Sequence, residues 1–520
     1  MHKHWLLTAL LACAPLLPAA AAAAEKDPGA RAAKEEPKDA DKAGKDDEIK
    51  LPPFPADKSV AQSVTIEGRV LNYTATVGSL LVLDEKGKTV ASVMYTAYTM
   101  PGAARAVTFA LNGGPGAASV YLNLGAIGPK RVQFGAEGDS PSDPPVPRDN
   151  PGSWLPFTDL VFIDPVGTGF SHAQVAEGEA KRLFYSPRAD IEYLSRVIFD
   201  WLVKYERLGS RKYLVGESYG GFRGPRMTHY LQTRLGVAMN GLILVSPYLD
   251  PLASRNGDLS PLPWMLTLPS IAAANLERQN RLTDAAMAQI VSYTRTDYVT
   301  DLLRGRSDNE AIERIVARVT ELSGLDPTFV RRLGGRLETQ AYLREVYRAE
   351  GKLGSRYDSN VTMWDPFPFA PTQRTSDPLL DSIIAPTTSA MVDFITRTVG
   401  WKYTGRYYAL SEEVNRLWSD GGDGSAKGGV DGEPDLLRGS VPELRQALAI
   451  DPKLRVLIVH GWDDLSCPFM ASVLIVDQMP PMGTAPRIQV REYPGGHMFY
   501  SRPASQAALL KDVQGLYAAH

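Results

Sequence analysis

The sequence predicts an α/β fold, a mixed and mostly parallel sheet with helices on both faces, interrupted by a long helical insertion. Three observations predict it. Short apolar runs that read as buried strands alternate with helical periods from Ala106 to Ser246 and again after Val441. That alternation stops between about Pro251 and Asp435, where helical periods dominate. A Gly-x-Ser-x-Gly segment, Gly216 to Gly220, separates a strand-like run from a helical one, the setting of a sharp strand-to-helix turn.

The elements follow in order. Met1–His4 is weakly positive, Trp5–Leu17 is apolar and Pro18–Ala24 is small, so residues 1–24 read as an export signal. The apolar part is too short to span a bilayer. Leu10-Leu11-Ala12-Cys13 loosely resembles a bacterial lipoprotein box, which makes a lipid anchor on Cys13 the alternative to ordinary cleavage. Residues 25–60 read as a disordered charged linker: Glu25–Lys58 holds eight basic and ten acidic side chains and almost nothing apolar. Val64–Tyr73, Ser79–Asp84 and Thr89–Thr96 alternate β-branched with polar residues and read as antiparallel edge strands. Ala106–Ala110, Leu160–Asp164, Arg211–Val215 and Gly241–Ser246 read as buried strands. Arg188–Arg207 reads as a helix, and a further helical pattern begins at Met227. The first part of the core is thus residues 61–250.

The insertion, residues 251–435, includes helical periods at Glu310–Leu322 and Arg336–Glu350. It closes in a glycine-dense loop, Asp420–Asp435, whose acids lack calcium-loop spacing. The second part of the core, residues 436–520, has a helix at Val441–Leu448, strands at Leu454–His460 and Arg487–Tyr493, and a closing helix from Ala504. Of 520 residues, 44% are hydrophobic and 22% charged, as in ordinary globular proteins. A net charge of -3 gives no reason to expect nucleic acid as a partner. The chain has two cysteines, and loss of the signal leaves Cys467 without a mate. That absence leans toward a bacterial envelope protein rather than a disulfide-built secreted one.

The glycines of the Gly-x-Ser-x-Gly turn leave room that a Cβ would fill, and the turn exposes Ser218 as a nucleophile. A serine nucleophile needs a base and a group that orients it. His172 precedes the serine, and His229 lies eleven residues along the following helix. His460 ends a strand directly before Asp463-Asp464, where an acid belongs. His497 lies in a glycine-rich loop after the last strand, where a base would hang over the serine.

Asn112-Gly113-Gly114-Pro115-Gly116, Asn150–Trp154, Ile163–Ser171, Gly216–Gly220, Gly461–Phe469 and Gly496-His497-Met498 together resemble the serine carboxypeptidase family, in order and at similar spacing. The resemblance runs from about Val64 to the C-terminus and is weakest in the insertion. It implies an α/β-hydrolase fold with a helical cap and removal of C-terminal residues from peptide substrates. It assigns Ser218 as nucleophile, His497 as base and Asp464 as acid, with Asp463 the alternative. It also assigns the backbone N–H groups of Gly114 and Tyr219 as the oxyanion hole. The terminal carboxylate falls to Asn112, Gly113 and Glu217, and the leaving-residue pocket to Cys467 and Met498. The family has a second glutamic acid where this chain has Ala126, so carboxylate recognition rests on a raised Glu217 pKa. No cofactor and no metal is called for. An esterase or acyltransferase on the same scaffold is the alternative activity, and a non-catalytic binding protein a third reading.

Overall fold

The computed structural model describes residues 51–102, 105–132, 141–142, 144–251, 260–370, 377–418, 439–483 and 486–518. The export signal, Cys13, most of the expected linker and the glycine-dense loop lie outside them. Nine strands form the main path of a ten-stranded sheet: β1 Lys58–Ile66, β2 Arg69–Leu83, β3 Thr89–Thr99, β4 Ala106–Leu111, β5 Thr158–Ile163, β6 Lys212–Glu217, β7 Gly241–Val245, β8 Arg455–Gly461 and β9 Ile488–Tyr493. Their spatial order is β1-β2-β3-β5-β4-β6-β7-β8-β9. The first three strands and β5 pair antiparallel. From β5 to β9 every neighbour is parallel. This is the α/β-hydrolase arrangement.

The sequence sets the two faces of that sheet. In β4 all six residues are buried. Ala106 and Ala110 point into one apolar layer, while Val107, Phe109 and Leu111 point into the other. Helix Pro187–Lys204 covers the second layer, where Trp201 meets Phe109 edge-on at 5.4 Å. The closing helix Pro503–Ala518 covers the first, and its Tyr517 stacks on Tyr213 at 3.7 Å.

Three expectations need correction. The linker does not reach residue 60. Strand β1 begins at Lys58, and Asp57 accepts hydrogen bonds from Tyr95 and Tyr205 and pairs with Lys204. Phe54 packs edge-on against His172, Trp401 and Tyr403. Charge masked this boundary, because the anchoring acid looks like one more linker residue. Val64–Tyr73 is not one strand either. Glu67 (φ 48°) and Gly68 (φ 75°) turn the chain back, so Ile66 pairs with Arg69. The helix expected from Met227 begins at Tyr219, directly after the serine, and runs to Arg234 through three glycines and Pro225. Packing of those small residues against neighbouring backbone and side chains overrides their weak helix propensity.

The insertion divides in two. Helices between Leu262 and Glu345 build their own apolar cluster around Ile271, Ile315 and Val319, joined by Trp462 and Phe469 of the second core part. The segment from Pro378 to Ala409 packs instead into the sheet's first layer through Ile383, Ile395 and Trp401. Backbone bridges Gly169–Tyr408 and Ala117–Leu410 stitch it there.

Candidate active site

Strand β6 delivers Ser218 in a backbone state side chains rarely adopt, φ 60° and ψ -120°. The turn is possible because its flanks are glycine. A Cβ on Gly216 would lie 2.0 Å from the Gly220 carbonyl oxygen, and one on Gly220 2.4 Å from that of Leu111. The Ser218 N–H bonds the Val245 carbonyl at 3.0 Å, and its carbonyl accepts from Gly221 and Tyr248. Helix Tyr219–Arg234 then points its N-terminus at the serine, a favourable place for developing negative charge.

The loop after β4 folds over this turn. A Cβ on Gly113 would be 2.5 Å from the Tyr219 nitrogen and 2.8 Å from the Ser218 Cβ. Gly114 follows at φ 99°. The expected oxyanion residues therefore lie on two backbones in contact.

Acid and base come from the ends of β8 and β9. Asp464 Oδ2 accepts from His497 Nδ1 at 2.7 Å, with both side chains buried. Asp464 Oδ1 is held by the N–H groups of Ser466 and Cys467. Burial opposes a charged imidazole, yet Asp464, with help from Cys467, holds the His497 pKa well above the usual histidine value. The His497 N–H bonds Tyr357 O at 2.5 Å, and its carbonyl accepts from Ser246 Oγ at 2.8 Å. Asp463 points elsewhere, toward Asn360 and Arg502. His460 bonds Ser472 Oγ at 2.8 Å, and burial lowers its pKa to about 4. Cys467 and Met498 are buried beside the base, and the Cys467 sulfur lies within 4.8 Å of the Asp464 and His497 ligand atoms.

Glu217 is buried one residue before the serine. Its Oε2 accepts from Asn112 Nδ2 at 3.0 Å and from Tyr500 Oη at 2.9 Å. Burial raises its pKa to about 7 against the lowering effect of His497, Tyr500 and Asn112. Asn112 is fixed from both ends. Its Oδ1 accepts from Leu122 N at 2.9 Å, and its carbonyl from Arg223 Nη1 at 2.6 Å. Arg223 is itself paired with buried Asp190. Ala126 lies on the wide turn Leu122–Ile127, its carbonyl held by Asn150 and Gln506. The buried Tyr121 hydroxyl, near enough to feel the Glu217 charge, has no partner among the described residues. A cavity of about 650 Å³ opens beside the site between core and insertion, lined in part by Tyr248, Trp264, Leu343, Arg356 and Cys467.

Sequence reasoning missed Tyr500, Arg223, Tyr357 and Ser246. Tyr500 had one signal, its place three residues after His497 in a short turn.

Residues 85–315 match the family model Peptidase_S10, serine carboxypeptidase. That segment is similar to the serine carboxypeptidase family. The chain is 30% identical over 189 residues to the pheromone-processing carboxypeptidase KEX1 of Ogataea parapolymorpha, covering 35% of this chain and 26% of that protein. It is 37% identical over 125 residues to kex1 of Sclerotinia sclerotiorum, covering 24% of this chain and 18% of that one. The matched segments thus span about a quarter or less of these relatives' length, and both relatives are fungal. The crystal structure of Kex1(delta)p, a prohormone-processing carboxypeptidase from Saccharomyces cerevisiae, superimposes with a TM-score of 0.52 at 14% identity. It covers 86% of this chain and 91% of that one, a likeness of fold.

Proposed function

We propose that the protein is a serine carboxypeptidase that removes residues from the free C-termini of peptides. The observation that carries this reading is the convergence of strained Ser218, the Asp464–His497 pair and buried Glu217 with Asn112 at one end of the parallel strands. In this reading His497 Nε2 takes the Ser218 Oγ proton as that oxygen attacks the scissile carbonyl. Asp464 accepts from Nδ1, fixing the tautomer and stabilising the imidazolium. The N–H groups of Gly114 and Tyr219 receive the oxyanion. His497 then protonates the leaving amine, and water releases the acyl group from Ser218 by the same path. Asn112, Gly113 and Glu217 hold the substrate carboxylate. Glu217 does so by sharing one proton with it, since two adjacent buried carboxylates cannot both ionise cheaply. Cys467 and Met498 border the leaving residue.

Ala126 favours a second reading, an esterase or acyltransferase, because the second acid of the family is missing from the carboxylate site. Residues 1–24 support export, to a bacterial envelope in our reading, with cleavage preferred over a lipid on Cys13. Among the described residues no helix is long and apolar enough to cross a membrane.

The test is C-terminal ladder sequencing by mass spectrometry of a free-acid peptide incubated with the protein and with Ser218→Ala. Stepwise loss from the C-terminus, absent in the variant, is expected. Hydrolysis of esters with an intact peptide C-terminus would favour the second reading.

A further inference from the structure

Behind the acid–base pair, four segments distant in sequence meet on one guanidinium. Arg502, in the turn after the His497 loop, donates through Nη2 to Asp358 Oδ2 at 2.8 Å and through Nη1 to Glu277 Oε1. Asp463 Oδ2 lies 3.9 Å from the same Nη2. Asn360 Nδ2 bridges Glu277 Oε2 at 2.8 Å and Asp463 Oδ2 at 3.2 Å. Glu277 ends the insertion helix Leu262–Arg278, and Asp358 and Asn360 lie in the insertion loop after the short strand Lys352–Gly354.

The cluster holds the triad loops directly. Asp358 Oδ2 also accepts from the Gly496 N–H at 3.1 Å, one residue before the base. The Asp463 N–H donates to Gly495 O at 2.9 Å, one residue before the acid. A Cβ on Gly496 would lie 2.0 Å from Tyr357 O and 2.5 Å from the Asp358 Cα, so the base loop is pressed onto the insertion backbone.

Charge counting sets the protonation. Three carboxylates face one arginine, and Asp463 is fully buried with no N–H or O–H among the described residues reaching its Oδ1. Asn360 Nδ2 bridges it to Glu277, so the two carboxylates share one amide group and one guanidinium, an arrangement that disfavours ionising both. Burial, then Glu277 and Asp358, push Asp463 well above the usual carboxylate range. Burial works the same way on Glu277, but Asp463, Arg502 and Asn360 hold it below its ordinary value. Protonation is therefore favoured at Asp463 rather than at Glu277. The other charged or titratable groups near it are Asp464 from its own loop, Arg278 from the helix of Glu277, and Tyr342.

We propose that Arg502 and Asp463 are positioning residues: with Glu277, Asp358 and Asn360 they clamp the loops of Asp464 and His497 to the insertion, so that triad geometry depends on how the insertion is docked. The clamp rests on the carboxypeptidase reading only for its effect on turnover.

The sign of its pH dependence follows. A group whose folded-state pKa is raised contributes stability that is present at low pH and is lost as pH rises through the folded value. Asp463→Asn keeps the shape of the side chain and carries no titrating proton. Thermal midpoints are measured from about pH 4 to about pH 9 for wild type, Asp463→Asn and Glu277→Gln, with kcat and KM on one peptide. Asp463→Asn is expected to remain active at neutral pH and to lose less stability than wild type as pH rises. Glu277→Gln, which removes the like charge, flattens the same slope should Asp463→Asn fold poorly. Arg502→Met is expected to lower kcat by on the order of a hundredfold with little change in KM, and Arg502→Lys to restore part of it. Parallel midpoint profiles in wild type and both amide variants would overturn the clamp, as would an Asp463→Asn enzyme as inactive as Asp464→Asn. A wild-type protein that hydrolyses nothing would sink the carboxypeptidase reading while the midpoint profiles still report on the clamp.

Discussion

Ser218 is the residue at which stability and activity pull apart. A side chain at φ 60° and ψ -120° costs about 1–3 kcal/mol, held in place by the packed glycines around it. Ser218→Gly should therefore raise the unfolding free energy by about 1 kcal/mol, measured by denaturant titration, while abolishing fluorophosphonate labelling and hydrolysis. Ser218→Ala loses activity but keeps the strain, so it should not show that gain. Asp464→Asn leaves the imidazole in the wrong tautomer and should lose on the order of 10⁴ in kcat. Glu217 makes a pH prediction. Burial puts its pKa at about 7, so the proton shared with a substrate carboxylate is lost as pH rises through that value. Free-acid peptides should then show kcat/KM falling at lower pH than their amides or esters, because neutral His497 favours higher pH for every substrate. Glu217→Gln should bring the two profiles together. Coinciding profiles in the wild type would remove Glu217 as the carboxylate sensor.

Among the elements, the insertion carries the clearest consequence of packing. A cap that merely covered the site could be cut away to leave an active core. Here Ile383, Ile395 and Trp401 belong to the sheet's own apolar layer, and Trp462 and Phe469 of the core rely on the other half of the insertion. Replacing residues 251–435 by a short linker should therefore give a chain that fails to unfold cooperatively, read by circular dichroism melting. Each large apolar side chain left without its partners costs about 2–5 kcal/mol, against a total stability of about 5–15 kcal/mol. A cooperative, ester-hydrolysing deletion would show that the two layers are separable. At the other end of the chain, β1 makes a sharper boundary test. A chain starting at residue 52 is the reference. One starting at residue 61 loses Phe54, the Asp57 contacts and the start of the strand, and should melt several degrees lower.

For the molecule as a whole, what could be read in advance were features written in consecutive residues. Gly216–Gly220, the order serine–acid–histidine and the all-apolar β4 each carry their reason locally, so the fold class, the turn at Ser218, the loop of His497 and the Asp463-Asp464 pair were legible. The choice between Asp463 and Asp464 needed the resemblance, because neighbours in sequence can face opposite directions. One meets His497 and the other meets Arg502. What stayed hidden depends on partners far along the chain. Tyr500 means nothing without Glu217, 283 residues earlier, nor Arg502 without Glu277, 225 residues earlier. The strand turn at Glu67-Gly68 was missed because apolar alternation continues on both sides of it.

The closing helix has a bearing on how the protein comes into being. Tyr517 donates to or accepts from Thr108 across 409 residues of chain, and its ring lies on Tyr213 in the strand that leads to the serine. A ribosome that has made the nucleophile has yet to make the acid, the base and the helix that backs the sheet. Closing so long a loop late makes folding slow, and the half-made chain exposes parallel strands meanwhile. The same delay is protective. Until the chain has been made beyond residue 497 there is no His497 to activate Ser218, so the activity proposed for the nucleophile is withheld while its base is unmade.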